Sequence, residues 1–235
     1  MEEKNEAKQL RDRLLYQKKN GWDLVDEATE QAIFDYCEGY KVYLDKGKTE
    51  RTCVEYTVEL AKTAGFVELE RGMALTPGMK VYRVNRGRAV NLAVIGSAPL
   101  DQGVSIVAAH IDSPRLDLKP TPLYEDSELA FFKTHYYGGI RKYQWVTIPL
   151  ELRGVVAMKD GSMVSICVGG HAGDPQFTID DLLPHLGADQ NKKPLGEAIP
   201  GESLNILVGS RPLKGDDGAG RVKLAVLKLL HERYG

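Results

Sequence analysis

His110 and Asp112 are the side chains whose types and spacing could do chemistry; they lie two apart in the run VSIVAAHIDSPRLDLK, residues 104–119. In an extended segment, residues two apart point the same way. One nitrogen of His110 could then hold a metal while Asp112 accepts the proton on the other, fixing the tautomer and making the ligand more basic. The same spacing also suits a capped loop end, so it leaves both readings open.

The other candidates carry less. His135 sits in KTHYYGG, residues 133–139, which suits either a loop lying close to a ligand or a surface turn. His171 follows Gly169-Gly170 and reads as an exposed loop histidine. His185 and Asp189 are four apart, but Pro184 and Gly187 disfavour a helical ligand pair there. His231-Glu232 opens like H-E-x-x-H, yet Gly235 stands where the second histidine is needed. The run GDDGAG, residues 215–220, lacks both a phosphate-loop lysine and the spaced acids of a calcium loop. It reads as a lead-in to the last helix, whose dipole favours nearby acids. No G-x-S-x-G is present.

These residues need elements to position them. Val104 and residues 106–109 are apolar or small and predict a short strand buried on both faces, stopped by Ser113-Pro114. Open α/β sheets place ligands at the carboxyl ends of such strands. Upstream, three helices are expected. The first, over 3–20, carries Ala7, Leu10 and Leu14 and ends before Gly21. The second is capped by Asp26 and closed by Gly47, with Ile33, Tyr36, Cys37, Tyr40 and Leu44 as a core-facing stripe. The third opens on a capping box at Thr52–Glu55, ends at Gly65 and buries Val54, Val58 and Ala61. Residues 80–85 and 89–95 flank Arg86-Gly87-Arg88 as a hairpin.

Beyond Thr121-Pro122 the pattern changes. Residues 145–152, 154–158, 163–168 and 205–208 read as strands, 182–201 as a polar connection and 221–232 as a helix. The expected organisation is α/β, with helices on a mixed sheet over 1–122 and a β-rich module over 123–235.

Composition narrows the function classes. The 235 residues are 43% hydrophobic and 27% charged, the balance of an ordinary soluble globular protein. A net charge of −2 without basic runs interleaved with aromatics argues against nucleic acid as a partner. Cys37, Cys53 and Cys167 are far apart and form no C-x-x-C, which suggests neither a disulfide framework nor a thiolate zinc site. A charged, helical N-terminus unlike a signal peptide and no run approaching a membrane span lead to the expectation of a cytoplasmic protein.

Several motifs in order resemble one family. AAHIDSPRLDLKPTPLYED, residues 108–126, is similar to the first metal-site motif of the M18 metallo-aminopeptidases, the aspartyl-aminopeptidase-like enzymes, with the bacterial branch most similar. KVYRVNRGRAVNLAVIG (80–96), THYYGGIRKYQW (134–145) and LNILVGSRPL (204–213) agree with it. The resemblance implies a zinc-peptidase-like α/β catalytic domain with an inserted β-rich oligomerisation domain, a large dodecameric assembly, and peptides as substrates. It implies zinc, or another divalent metal, in a two-metal site that activates water, with a glutamate moving the proton. By the same resemblance His110 is a metal ligand and Asp112 the catalytic carboxylate that orients it.

The family extends further than this sequence. The bridging aspartate, the glutamate pair, the second aspartate and the last histidine are expected after residue 235, because GRVKLAVLKLLHERYG, residues 220–235, resembles a helix upstream of the bridging aspartate. In some members a histidine after the PHL segment faces a neighbouring subunit; here Pro184-His185-Leu186 is followed by Asp189 at that place. The sequence therefore leads to the expectation of the first half of an aminopeptidase, inactive by itself. The alternative is a non-catalytic assembly or binding module derived from the same fold.

Overall fold

The computed structural model describes residues 2–235, with side chains from Glu6 onward. Residues up to Gly47 and residues from Lys48 form two separate compact units. In the first, α1 (Glu2–Leu14) stops six residues short of the expected end, and a short 3-10 turn occupies Gly21–Leu24. Helix α2 (Glu27–Lys46) starts where Asp26 accepts from the Thr29 amide at 2.8 Å, and Gly47 closes it. The expected core stripe is corrected: Ile33, Tyr36, Tyr40 and Leu44 are exposed. Periodicity identifies an apolar face, but burying that face takes an opposing layer, and no described side chain of this unit is buried.

The second unit opens with α3 (Glu50–Thr63), and here the capping box lies three residues earlier than expected. Thr49, not Thr52, is the N-cap, accepting from the Thr52 amide at 3.2 Å while Thr52 Oγ1 accepts from the Thr49 amide at 2.9 Å. Strands β1 (Val67–Glu68), β2 (Lys80–Asn85) and β3 (Ala89–Val94) form one sheet. The β2–β3 hairpin is as expected: Arg86 and Gly87 both take positive φ, the backbone that matches the strands' twist. Cys53, Val54 and Ala61 of α3 are buried with Val81 and Tyr82 of β2.

The second sheet is built on a hairpin of β4 (Arg115–Asp126) and β5 (Leu129–Tyr137). His135 lies in β5, paired with Asp117, so the turn or loop expected at 133–139 is instead mostly strand. Next come the β6–β7 hairpin (Leu152–Ala157 and Met163–Val168), the short α4 (Leu195–Ala198), β8 (Ile206–Gly209) on the edge of β5, and α5 (Arg221–Tyr234). The strand expected at 145–152 is corrected too. Thr147 takes a positive φ, and residues 145–151 make one bridge, Leu150 with Phe177, before β6 begins at Leu152.

A core of Phe132, Val146, Val168, Phe177, Ile179, Ile199, Leu204 and Ile206 holds these pieces together. The hydroxyl of Thr134, a buried polar side chain, donates to the Leu204 carbonyl. Helix α5 lies close on β8, where a Cβ at Gly209 would stand 2.8 Å from Val226 Cγ2.

The buried strand expected at 104–109 is the largest correction. The segment forms no ladder among the described residues, and Val104, Ile106 and Val107 are 63%, 80% and 100% exposed. A strand buried on both faces needs a hydrogen-bonding neighbour and a covering layer, and the described residues supply neither to this run.

Candidate metal centre

The segment 104–114, without regular secondary structure, delivers His110 and Asp112 to the head of the β4–β5 hairpin. The Cys53 thiol on α3 donates to the Ile111 carbonyl at 3.6 Å, tying the segment to the helix. His110 and Asp112 do share one side. His110 Nδ1 lies 3.1 Å from Asp112 Oδ1 and 3.1 Å from the Asp112 carbonyl oxygen. Both neighbours are acceptors, so in the neutral ring the proton belongs on Nδ1 and the lone pair on Nε2. The imidazole is 84% exposed, which leaves Nε2 open to a ligand.

A second layer of side chains supports Asp112. The Tyr137 hydroxyl donates to Asp112 Oδ2 at 2.8 Å, so each carboxylate oxygen has its own partner. Tyr137 heads the β4–β5 ladder opposite Arg115, whose guanidinium stacks over the phenol ring 4.0 Å from its centroid. Arg115 is in turn fixed by Asp117 at 2.7 Å and Glu50 of α3 at 3.0 Å.

The charges follow from these contacts. The Tyr137 hydrogen bond, with a smaller contribution from His110, holds the Asp112 carboxyl below its ordinary range. The same hydrogen bond and the Asp112 charge push the Tyr137 phenol up, so it stays a donor. Partial burial works against the charge on Arg115, but Asp117 and Glu50 outweigh it and raise its pKa.

The remaining histidines are elsewhere. His135 stacks on Tyr136 with ring centroids 5.4 Å apart. His171 donates its amide to Asp174 in an exposed turn, as expected. His185 lies in an exposed loop, and Asp189 pairs with Lys192 at 3.1 Å. The acids at 216–217 do not cap α5; Glu125 of β4 accepts from the Lys223 amide at its first turn.

Comparison with known proteins decides the family. The model of the aminopeptidase I zinc metalloproteases (M18) matches residues 43–235. The chain belongs to the M18 family. A probable M18 family aminopeptidase 1 of Clostridium acetobutylicum is 45% identical over 225 residues, covering 94% of this chain and 48% of the relative. The crystal structure of an M18 aminopeptidase from Thermotoga maritima superposes with a TM-score of 0.84 at 42% identity, over 94% of this chain and 48% of that one. A structure described as an mApe1 dodecamer of Saccharomyces cerevisiae shares the fold at 18% identity, with a TM-score of 0.57 over 84% of this chain and 44% of that one. The chain thus spans about half the length of the curated relatives it matches.

M18 proteins are zinc metallo-hydrolases, and the donors here test against that metal directly. Zinc takes three or four protein ligands. Among the described residues, no group of three or more His, Cys, Asp or Glu side chains is placed to hold an ion. This part of the chain offers one imidazole and its carboxylate partner, which is not a complete zinc site. Tyr137, Arg115 and Glu50 escaped the sequence reading. The signal that could have found them is the pairing of residues 115–118 with 134–137, which makes Arg115 and Tyr137 cross-strand neighbours.

Proposed function

We propose that this chain supplies one metal ligand, His110, and its orienting carboxylate, Asp112, to a zinc-dependent aminopeptidase that releases N-terminal amino acids from peptides. The observation that carries the reading is the held imidazole: Nδ1 is occupied by Asp112, Nε2 is free, and the pair occurs in a motif resembling the family's first metal site. The described residues by themselves are inactive, because one ligand does not hold a catalytic metal. Residues 1–122 are the first part of the α/β catalytic domain, and 123–235 belong to an inserted β-rich oligomerisation domain. The register shift in β4 between Leu118 and Leu123, beside the positive φ of Thr121, supports a boundary there. The assembly is a cytoplasmic homo-oligomer. Exposed Leu182, Leu183 and Leu186 provide apolar surface of the kind that subunits cover. No described helix is long and apolar enough to cross a membrane.

The test is a chimera in which this chain replaces the matching part of the Clostridium acetobutylicum relative, assayed with aminoacyl p-nitroanilides and zinc. The chimera should release amino acids, and His110→Ala should abolish release. A folded, metal-loaded chimera without activity, or one indifferent to His110→Ala, would refute the proposal. Release by the 235-residue chain alone, lost in His110→Ala, would refute its inactivity.

A further inference from the structure

We infer that Tyr137, clamped by Arg115, is a positioning residue that fixes the Asp112 carboxylate and through it holds His110 in a single tautomer with Nε2 unprotonated. The inference deepens the proposed role of His110 as a ligand, but its test needs no metal and no turnover.

Asp112 is 37% exposed, and a carboxylate so open to water is free to rotate and share its oxygens between solvent and the imidazole. The Tyr137 hydroxyl removes that freedom by engaging Oδ2 at 2.8 Å, which leaves Oδ1 facing His110 Nδ1 at 3.1 Å. A phenol on a strand end would itself swing. It is held because Tyr137 heads the ladder opposite Arg115, whose guanidinium carbon lies over its ring 4.0 Å from the centroid. That guanidinium cannot follow a moving ring, since its Nε is bound by Asp117 and one terminal nitrogen by Glu50. The order therefore passes from helix and ladder to guanidinium, phenol, carboxylate and imidazole. Outer partners of this kind fix the tautomer and orientation of ligand histidines.

The experiment is nitrogen NMR of the 15N-histidine-labelled 235-residue chain at pH 8.5, where an ordinary histidine is neutral with a pKa of about 6.5. One fixed tautomer gives His110 a widely separated pair of nitrogen shifts, with the protonated nitrogen at Nδ1. Exchange between tautomers draws the two shifts together. The wild-type chain should show the separated pair. Tyr137→Phe, which removes only the hydroxyl, should collapse the separation towards the average, and Arg115→Met should do so partially. Tyr136→Phe, next in sequence with its ring on His135, should leave His110 unchanged. Averaged shifts in the wild type would overturn the inference without any variant. So would an unchanged pair in a folded Tyr137→Phe protein. Neither result touches the chimera assay, so failure of the positioning role and failure of the ligand role are separable.

Discussion

The 235-residue chain alone should bind zinc only weakly, and the strength can be worked from the ligand count. Four-ligand structural zinc sites in small domains are worth about 10–16 kcal/mol at neutral pH, so one ligand of four carries roughly 2.5–4 kcal/mol. His110 has one ring nitrogen held by a carboxylate, and no group of three donors assembles among the described residues. A dissociation constant of 1 mM corresponds to about 4.1 kcal/mol, so the expected constant is millimolar or weaker. Competition against a chromophoric chelator at pH 7.5, followed by gel filtration and metal analysis, would read it. The purified chain should carry far less than one zinc per chain, and His110→Ala should remove what weak binding there is. A sub-micromolar site at one zinc per chain that disappears in His110→Ala would refute the reasoning. It would mean that other side chains, His135 or His185 among them, complete the site within one chain or across two copies.

Other perturbations test the frame that presents this site. Leu204 is 1% exposed in the main core, so Leu204→Ala should cost about 2–5 kcal/mol in urea unfolding. Thr134→Val keeps the shape but leaves the Leu204 carbonyl without its hydroxyl partner, an expected loss of about 1–3 kcal/mol that Thr134→Ser should largely avoid. Gly209→Ala would set a methyl 2.8 Å from Val226 Cγ2 and should cost about 1–3 kcal/mol, with recovery when Val226→Ala is added. The hydrogen bond from Thr29 holds the Asp26 carboxyl below its ordinary range. A lowered folded-state pKa gives stability that is present above the unfolded value of about 3.9 and is lost as pH falls through the folded one. The protection of the amides at the start of α2, with exchange taken relative to its intrinsic rate at each pH, should therefore fall on acidification below about pH 4, and Asp26→Asn should remove that dependence.

Local rules read well where local contacts decide the structure. Asp26 caps α2 and Gly47 ends it, the Arg86-Gly87 turn forms the β2–β3 hairpin, and β7 spans the expected 163–168. The pairing of His110 with Asp112 was visible as a two-residue spacing. What escaped depends on distant neighbours. Pro120 and Pro122 look like strand breakers, yet both fall inside the register shift of β4, an edge strand where a missing amide donor is tolerated. No strand was expected over 115–137, so the β4–β5 hairpin went unread, and with it the Arg115–Tyr137 pair and the strand placement of His135. The run 104–109 failed differently. Its apolar pattern is that of a buried strand, but a pattern records what a segment can bury and not which residues cover it.

The parts that hold His110 all come from residues 50–137, within one compact unit. The links are a tie from Cys53 of α3 to the Ile111 carbonyl, a cross-strand stack at the head of one ladder, and a carboxylate two residues from its imidazole. The orientation of the His110 ring is therefore set by the fold, and under the proposed ligand role the entropy of ordering it is met by folding rather than by binding. An exposed histidine without such support would lose part of its metal affinity to that ordering. If preorganisation is the purpose of the Tyr137–Arg115 clamp, loosening it should weaken the metal affinity of the chimera while leaving the stability of the 235-residue chain nearly unchanged. A purely structural clamp would lower the unfolding free energy instead, so comparing Tyr137→Phe by urea unfolding and by zinc competition separates the two.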